Sequence, residues 1–200
     1  MSADAGTPPA ARPLRADALR NRRRVIEAAT EAFARSGIAV PMDEIAESAG
    51  VGVGTLYRHF PTKEALFAAV VRHHLEVLVD EARRLQGADD PGSALFAFFG
   101  RMVEEASSKQ DVVEALNQAG VDFKSASGDL KKEFSAAVAA LVQRAREAAA
   151  IRADVEDQEV LSLLAGACMA TAHLGTGAEC RQRVVQVICD GLRSPTAATP

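Results

Sequence analysis

The segment from Pro41 to Phe67, PMDEIAESAGVGVGTLYRHFPTKEALF, constrains this chain more than any other. Two short helical patterns meet there at Gly50. Small Ala46, turn residue Gly50 and apolar Leu56 are separated by four and then six residues. The small side chain lets two helices pack closely and the glycine lets the chain corner tightly, which is what a helix-turn-helix requires. The second pattern carries small, hydroxyl, aromatic and basic side chains that suit a duplex groove. A unit this short has too little core to stand alone, and reading a two-fold DNA site takes two copies of it.

The flanking sequence supplies the helices such a unit needs. Val25, Ile26, Ala29, Ala32 and Phe33 recur at helical spacing and predict a first helix from Ala18, ending at Gly37. Residues 1–17 are rich in Ala, Pro, Gly and Arg and are expected to be disordered. Pro41 suits the start of a second helix, with Asp43 and Glu44 in its first turn, where the helix dipole favours negative charge. Met42, Ile45, Ala46 and Ala49 form its inner face. Val51 to Phe60 reads as a third helix with Leu56 and Phe60 turned inward. Pro61 ends it, and Thr62 is placed to cap a fourth helix whose stripe of Phe67, Val71, Leu75, Leu78, Ala82 and Leu85 runs to Gly87. From Lys63 to Gln86 that helix would span roughly 36 Å.

No proline falls between Pro91 and Pro195, and strand-like alternation is nowhere sustained. Five further helices are predicted at 92–107, 110–119, 128–151, 157–174 and 178–193, making about nine in an all-α fold. The domain reading is a disordered basic tail (1–17), a helix-turn-helix DNA-binding domain (18–62), a larger helical effector-binding and dimerisation domain (63–194) and a disordered tail (195–200). Small residues Ala165, Gly166, Ala167, Ala170 and Ala172, followed by Val184, Val185, Val187 and Ile188, allow the last two helices either to form a four-helix interface between two chains or to complete their own core.

Charge is informative through its distribution. The net charge of −4 divides into +2 for Met1–Lys63 and −6 for the remainder, and six arginines but one acid lie between Arg12 and Arg24. That asymmetry fits a DNA-contacting end joined to an acidic body. No apolar run is long enough to span a membrane, and the N-terminus has no signal-peptide core, so a cytoplasmic protein with no membrane partner is expected. Cys168, Cys180 and Cys189 lack ligand or disulfide spacing and are expected as buried thiols.

The segments RRRVIEAATEAFARSG and MDEIAESAGVGVGTLYRHFPTKEALF resemble the signature of TetR-family transcriptional regulators over about residues 22–71. A weaker likeness, QRAREAAAIRADVEDQEVLSLL, is similar to an element of helix, turn and helix in the ligand domains of some actinobacterial-type members. The resemblance implies base and phosphate contacts from Thr55, Tyr57 and His59, a phosphate-binding Lys63, and close approach of the duplex at Gly54. Tyr and Thr hydroxyls bond phosphate oxygens readily, and an ammonium beside a helix N-terminus adds to its attraction for anions. Arg58 suits guanine or phosphate, and Arg22 and Arg23 suit phosphate. Structural alternatives are Tyr57 packed between the first and third helices, a half-buried His59 and a solvated Arg58. Pro41 stands where many members have Thr, and Gly52-Val53 where they have Ser-Lys. Because these positions carry no polar side chain here, binding is expected to lean on the arginines from Arg20 to Arg24.

The function expected is a dimeric repressor of double-stranded, palindromic operator DNA, joined through its last two helices and released by a small, largely apolar or aromatic effector. The resemblance implies a pocket after Pro91, with Phe99, Met102, Leu116, Phe134, Val138 and Met169 as apolar walls and Asn117 and His173 as polar groups. A ligand-blind DNA-binding or architectural protein is the alternative. An enzyme is disfavoured: His73 and His74 point about 100° apart on a helix, Cys168 and His173 about 140°, and Cys180 and Cys189 about 180°. No metal site or cofactor is implied by that spacing.

Overall fold

The computed structural model describes residues 11–108, 128–173 and 177–195. Its elements are α1 (Ala11–Ser36), α2 (Met42–Ser48), α3 (Val53–His59), α4 (Lys63–Leu85), α5 (Pro91–Ser108), α6 (Gly128–Glu147), α7 (Asp157–His173) and α8 (Ala178–Leu192). The fold is all-α as expected. Among the described residues the β-type pairing is a single antiparallel bridge between Ile151 and Arg193. The helix expected at 110–119 and the tail from residue 196 lie outside the described residues.

The chain separates into two compact units, Met1–Val70 and Val71–Pro200. The division falls inside α4 rather than at 62–63. Leu66, Phe67, Ala69 and Val70 are all buried, and the Phe67 ring lies 5.5 Å from that of Phe33, so the start of α4 belongs to the head's core. A second difference concerns the N-terminus, where α1 begins at Ala11 instead of near residue 18. The segment ARPLRADALR is built largely from straight-chain residues and alanine that favour helix, and its proline sits in the first turn, where a missing N–H breaks no internal bond.

In the first unit α1 buries Val25, Ile26, Ala28, Ala29, Ala32 and Phe33. It ends at Gly37, whose φ of 67° suits a helix-terminating glycine and whose amide donates to the Phe33 carbonyl at 3.0 Å. Met42, Ile45 and Ala46 of α2 pack inward. At the corner Gly50 has φ 61°, and the Val51 amide donates to the Ala46 carbonyl at 3.0 Å. Gly52 precedes α3 in extended conformation, and the Thr62 hydroxyl accepts from the Ala65 amide at 3.1 Å, capping α4 as expected.

In the second unit α5 packs against α6 and α7, and α8 covers α5 and α7. One buried cluster joins Leu95 and Phe98 of α5 to Val138, Leu141 and Val142 of α6, with Ile151 and Leu192. A second joins Phe99 and Val103 to Leu164, Ala167 and Cys189. Each fully buried Leu or Phe contributes about 1.5–3 kcal/mol relative to exposure. Asp90 starts α5: its carboxylate accepts from the Ser93 amide at 2.9 Å and the Ser93 hydroxyl at 2.7 Å.

The helix expected to reach residue 151 stops at Glu147. Ala149 adopts a left-handed conformation (φ 53°), and the Ala150 amide reaches back to the Ala145 carbonyl at 2.9 Å, closing the helix end. The chain then runs extended, with the Arg152 amide donating to the Leu192 carbonyl and the Ser194 amide to the Ala150 carbonyl. Arg146 ties this turn to α7: its Nη2 donates to the Val155 carbonyl at 2.8 Å and to Asp157 at 2.7 Å. Cys180, expected to be buried, is exposed in the first turn of α8, whereas Cys189 is buried and Cys168 partly so.

Candidate nucleic-acid interface

α3 is seven residues long and has one fully buried side chain, Leu56, which seats it on the head. The side chains around that anchor face solvent. Val53 and Tyr57 are 40% and 45% exposed, Gly54 and Arg58 are exposed, and Thr55 and His59 are partly buried. A Cβ placed on Gly54 would meet nothing within 4 Å, so the backbone there is open to close approach. Tyr57 thus keeps nearly half of its surface open to solvent. His59 is half-buried beside Phe60, with ring centroids 6.3 Å apart.

The basic residues from outside α3 are arranged less simply. Arg22 lies over the Phe60 ring with its guanidinium carbon 5.3 Å from the centroid, which brings it to the C-terminal end of α3. A guanidinium stacked on a ring keeps its N–H donors in its own plane, pointed away from the ring. Arg23 is exposed. Arg20 is paired with Asp17, and Arg24 reaches the Gly50 carbonyl at 3.4 Å. Lys63 Nζ donates to the Ile38 carbonyl at 3.0 Å and the Ala39 carbonyl at 3.4 Å, so it ties the α1–α2 loop to the start of α4. An ammonium has three donors, and these contacts leave capacity for a phosphate. The Glu64 carboxyl next to it is held below its usual range, chiefly by its own backbone amide and then by the Thr62 hydroxyl. Arg24, expected from the sequence among the phosphate-seeking arginines, is linked to the turn, a contact that local spacing does not signal because the two partners lie 26 residues apart.

The residues expected to line a ligand pocket occupy different environments. Phe99 and Val138 are buried, and Met102 and Phe134 are partly buried at the edge of the core, with the Phe134 ring 6.4 Å from Phe98. Met169 departs from expectation, being 64% exposed. The buried stripe of α7 is Val160, Leu164, Ala167 and Thr171, and a residue two past Ala167 is turned about 200° away from it. Leu116 and Asn117, and the side chain of His173, lie outside the described residues. An open surface concavity of about 880 Å³ is lined instead by Arg152, Asp154, Asp190 and Arg193 among others. Among the described residues no cluster of His, Cys, Asp or Glu is arranged to hold a metal ion, and no helix is long and apolar enough to cross a membrane.

A short helix anchored by one leucine, presented after a glycine corner and followed by a separate helical unit, defines a helix-turn-helix regulator. Residues 25–70 match the family model described as bacterial regulatory proteins, tetR family, and residues 90–194 match that of the C-terminal domain of SbtR-like transcriptional regulators. The chain belongs to the TetR family of transcriptional regulators, which is not a family of enzymes. It is similar to the crystal structure of a TetR transcription regulatory protein from Mycobacterium vanbaalenii, with 45% identity, a TM-score of 0.75, and coverage of 90% of this chain and 99% of that one. The TetR regulator SCO0520 from Streptomyces coelicolor is 32% identical, with a TM-score of 0.70 and coverage of 87% and 99%. The HTH-type transcriptional regulator SAB2452 of Staphylococcus aureus is 35% identical over 74 residues, which are 36% of this chain and 40% of that relative.

Proposed function

We propose that the chain is a homodimeric repressor that binds a palindromic double-stranded operator through α3 and is released by a small, largely apolar or aromatic effector. The observation carrying this reading is the presentation of α3, with Leu56 fully buried and Tyr57 beside it 45% exposed. Gly54, Thr55, Tyr57, Arg58 and His59 form the groove-facing set, and Arg22, Arg23 and Lys63 bind phosphates on either side. Two α3 helices enter successive major grooves roughly 34 Å apart. Exposed Leu163 and Met169 of α7 and Val187 of α8 favour pairing through the last two helices, since an apolar face of this kind gains from a partner.

The effector contacts Phe99, Met102, Phe134 and Val138, together with Leu116, Asn117 and His173. A coupling of about 1–3 kcal/mol between that site and the DNA site changes operator affinity about 5–150-fold. Fluorescence polarisation on a duplex selected by the protein, repeated across salt concentrations, tests the reading. Sequence-preferring binding that weakens linearly in log salt supports it, because each neutralised phosphate contributes about −0.9 to that slope. Equal affinity for all duplexes contradicts it.

A further inference from the structure

The corner between α2 and α3 carries a contact that the DNA-contacting set does not explain. From α1, Arg24 donates through Nη2 to the Gly50 carbonyl at 3.4 Å. A Cβ placed on Gly50 would stand 2.4 Å from that same nitrogen, so the guanidinium lies against the bare α-carbon of the turn. Gly50 holds φ 61°, where a side chain is strained in any case. The amides of the corner are engaged by α2: Gly50 donates to the Glu47 carbonyl at 2.9 Å and Val51 to the Ala46 carbonyl at 3.0 Å. The Gly50 carbonyl is the acceptor that Arg24 reaches. Two residues earlier, Arg22 covers Phe60 just past the other end of α3.

We propose that Arg24 is a positioning residue of the reading head, which holds the Gly50 corner and so sets the angle at which α3 is presented, rather than a phosphate contact. This rests on the DNA-binding reading above. At 3.4 Å the bond is long, and packing of the flat guanidinium on Gly50 adds to it. The corner has glycine at both 50 and 52, so beyond its amide bonds to α2 the backbone has few intrinsic restraints, and the Arg24 contact adds one from α1. A fixed corner stabilises one orientation of α3, and loss of that orientation weakens specific binding without removing a charge from the phosphate-contacting set.

The test compares wild type with Arg24→Ala and Arg24→Gln, the second keeping a neutral N–H donor. Amide hydrogen exchange across Val51 to Tyr57 is measured without DNA, and operator affinity and its salt slope are measured by polarisation. The expected result is faster exchange and about fivefold weaker operator binding in Arg24→Ala, with the wild-type salt slope and a lower ratio of specific to non-specific affinity. Arg24→Gln restores most of both. Unchanged exchange overturns the assignment. So does equal loss in both variants with a salt slope shallower by about 0.9 for each phosphate released, which would make Arg24 a phosphate contact. A wild type that prefers no duplex sequence overturns the DNA reading itself, and the exchange data, which need no DNA, tell that failure apart.

Discussion

Leu56 and Tyr57 are neighbours in α3 with opposite environments: Leu56 is 0% exposed and Tyr57 45%. Stability and recognition should therefore separate at adjacent residues. Leu56→Ala is expected to destabilise the head by about 2–5 kcal/mol, since it leaves a cavity in a small core. Tyr57→Phe is expected to leave the melting temperature within a degree or two and to weaken operator binding about 5–10-fold through loss of one hydroxyl. Thermal melts and polarisation on both variants check this, and a large loss of stability in Tyr57→Phe would contradict it.

Ala149 occupies the left-handed position that ends α6, at φ 53°. That conformation costs a residue with a Cβ about 1–2 kcal/mol, partly offset in glycine by greater freedom of the unfolded chain. Ala149→Gly should therefore raise stability by roughly 0.5–1 kcal/mol in urea melts. A decrease would show that the unfolded-state term dominates.

The cysteines should react in a fixed order. Burial raises the Cys168 and Cys189 thiols to about 11, whereas Cys180 is exposed. At pH 8 a thiol with that pKa is about one-thousandth thiolate, and the thiolate is the nucleophile. Iodoacetamide with mass mapping should modify Cys180 first and the other two only as the protein opens. Slower labelling of Cys180 at high than at low protein concentration is the result expected from the proposed pairing through α7 and α8.

Acidification should weaken the fold through identified carboxylates. Glu104 is held below its usual value of 4.5 mainly by the hydrogen bond from Arg181, Asp154 below 3.8 by that from Arg152, and Asp90 below 3.8 by the Ser93 amide. A carboxyl with a lowered folded-state pKa contributes stability above its unfolded value, and loses it as pH falls through the folded one. The melting temperature should thus be insensitive to these groups above about pH 5 and fall below about 4.5. Glu104→Gln and Asp90→Asn should each flatten that acid limb. All three groups are at the surface, so salt should also reduce the effect.

The sequence made the helix-turn-helix legible because its determinants are local. Gly37 and Gly50 mark corners with positive φ, Leu56 falls on the inward face of a short helix with buried Phe60 just past its end, and Thr62 caps α4 within its own turn. What escaped was set by distant contacts or by competing local preferences. The Arg24–Gly50 and Lys63–Ile38 bonds span 26 and 25 residues, beyond what spacing can reveal. α1 starts early because Arg, Leu and Ala favour helix and Pro13, in its first turn, breaks no internal bond. The resemblance implies Met169 as a pocket wall, but its place on α7 is set by a buried stripe of which it is not part. The unit boundary moved into α4 because Phe67 packs on Phe33, a pairing fixed by the folded head.

Selection of bound fragments from random duplex DNA by the purified protein tests whether α3 reads DNA sequence as part of a two-fold pair. A palindrome with half-sites about one helical turn apart is predicted, and its enrichment should vanish when Thr55, Tyr57 and Arg58 are all replaced by alanine. Absence of any enriched sequence, or an enriched sequence that survives that replacement, would contradict it.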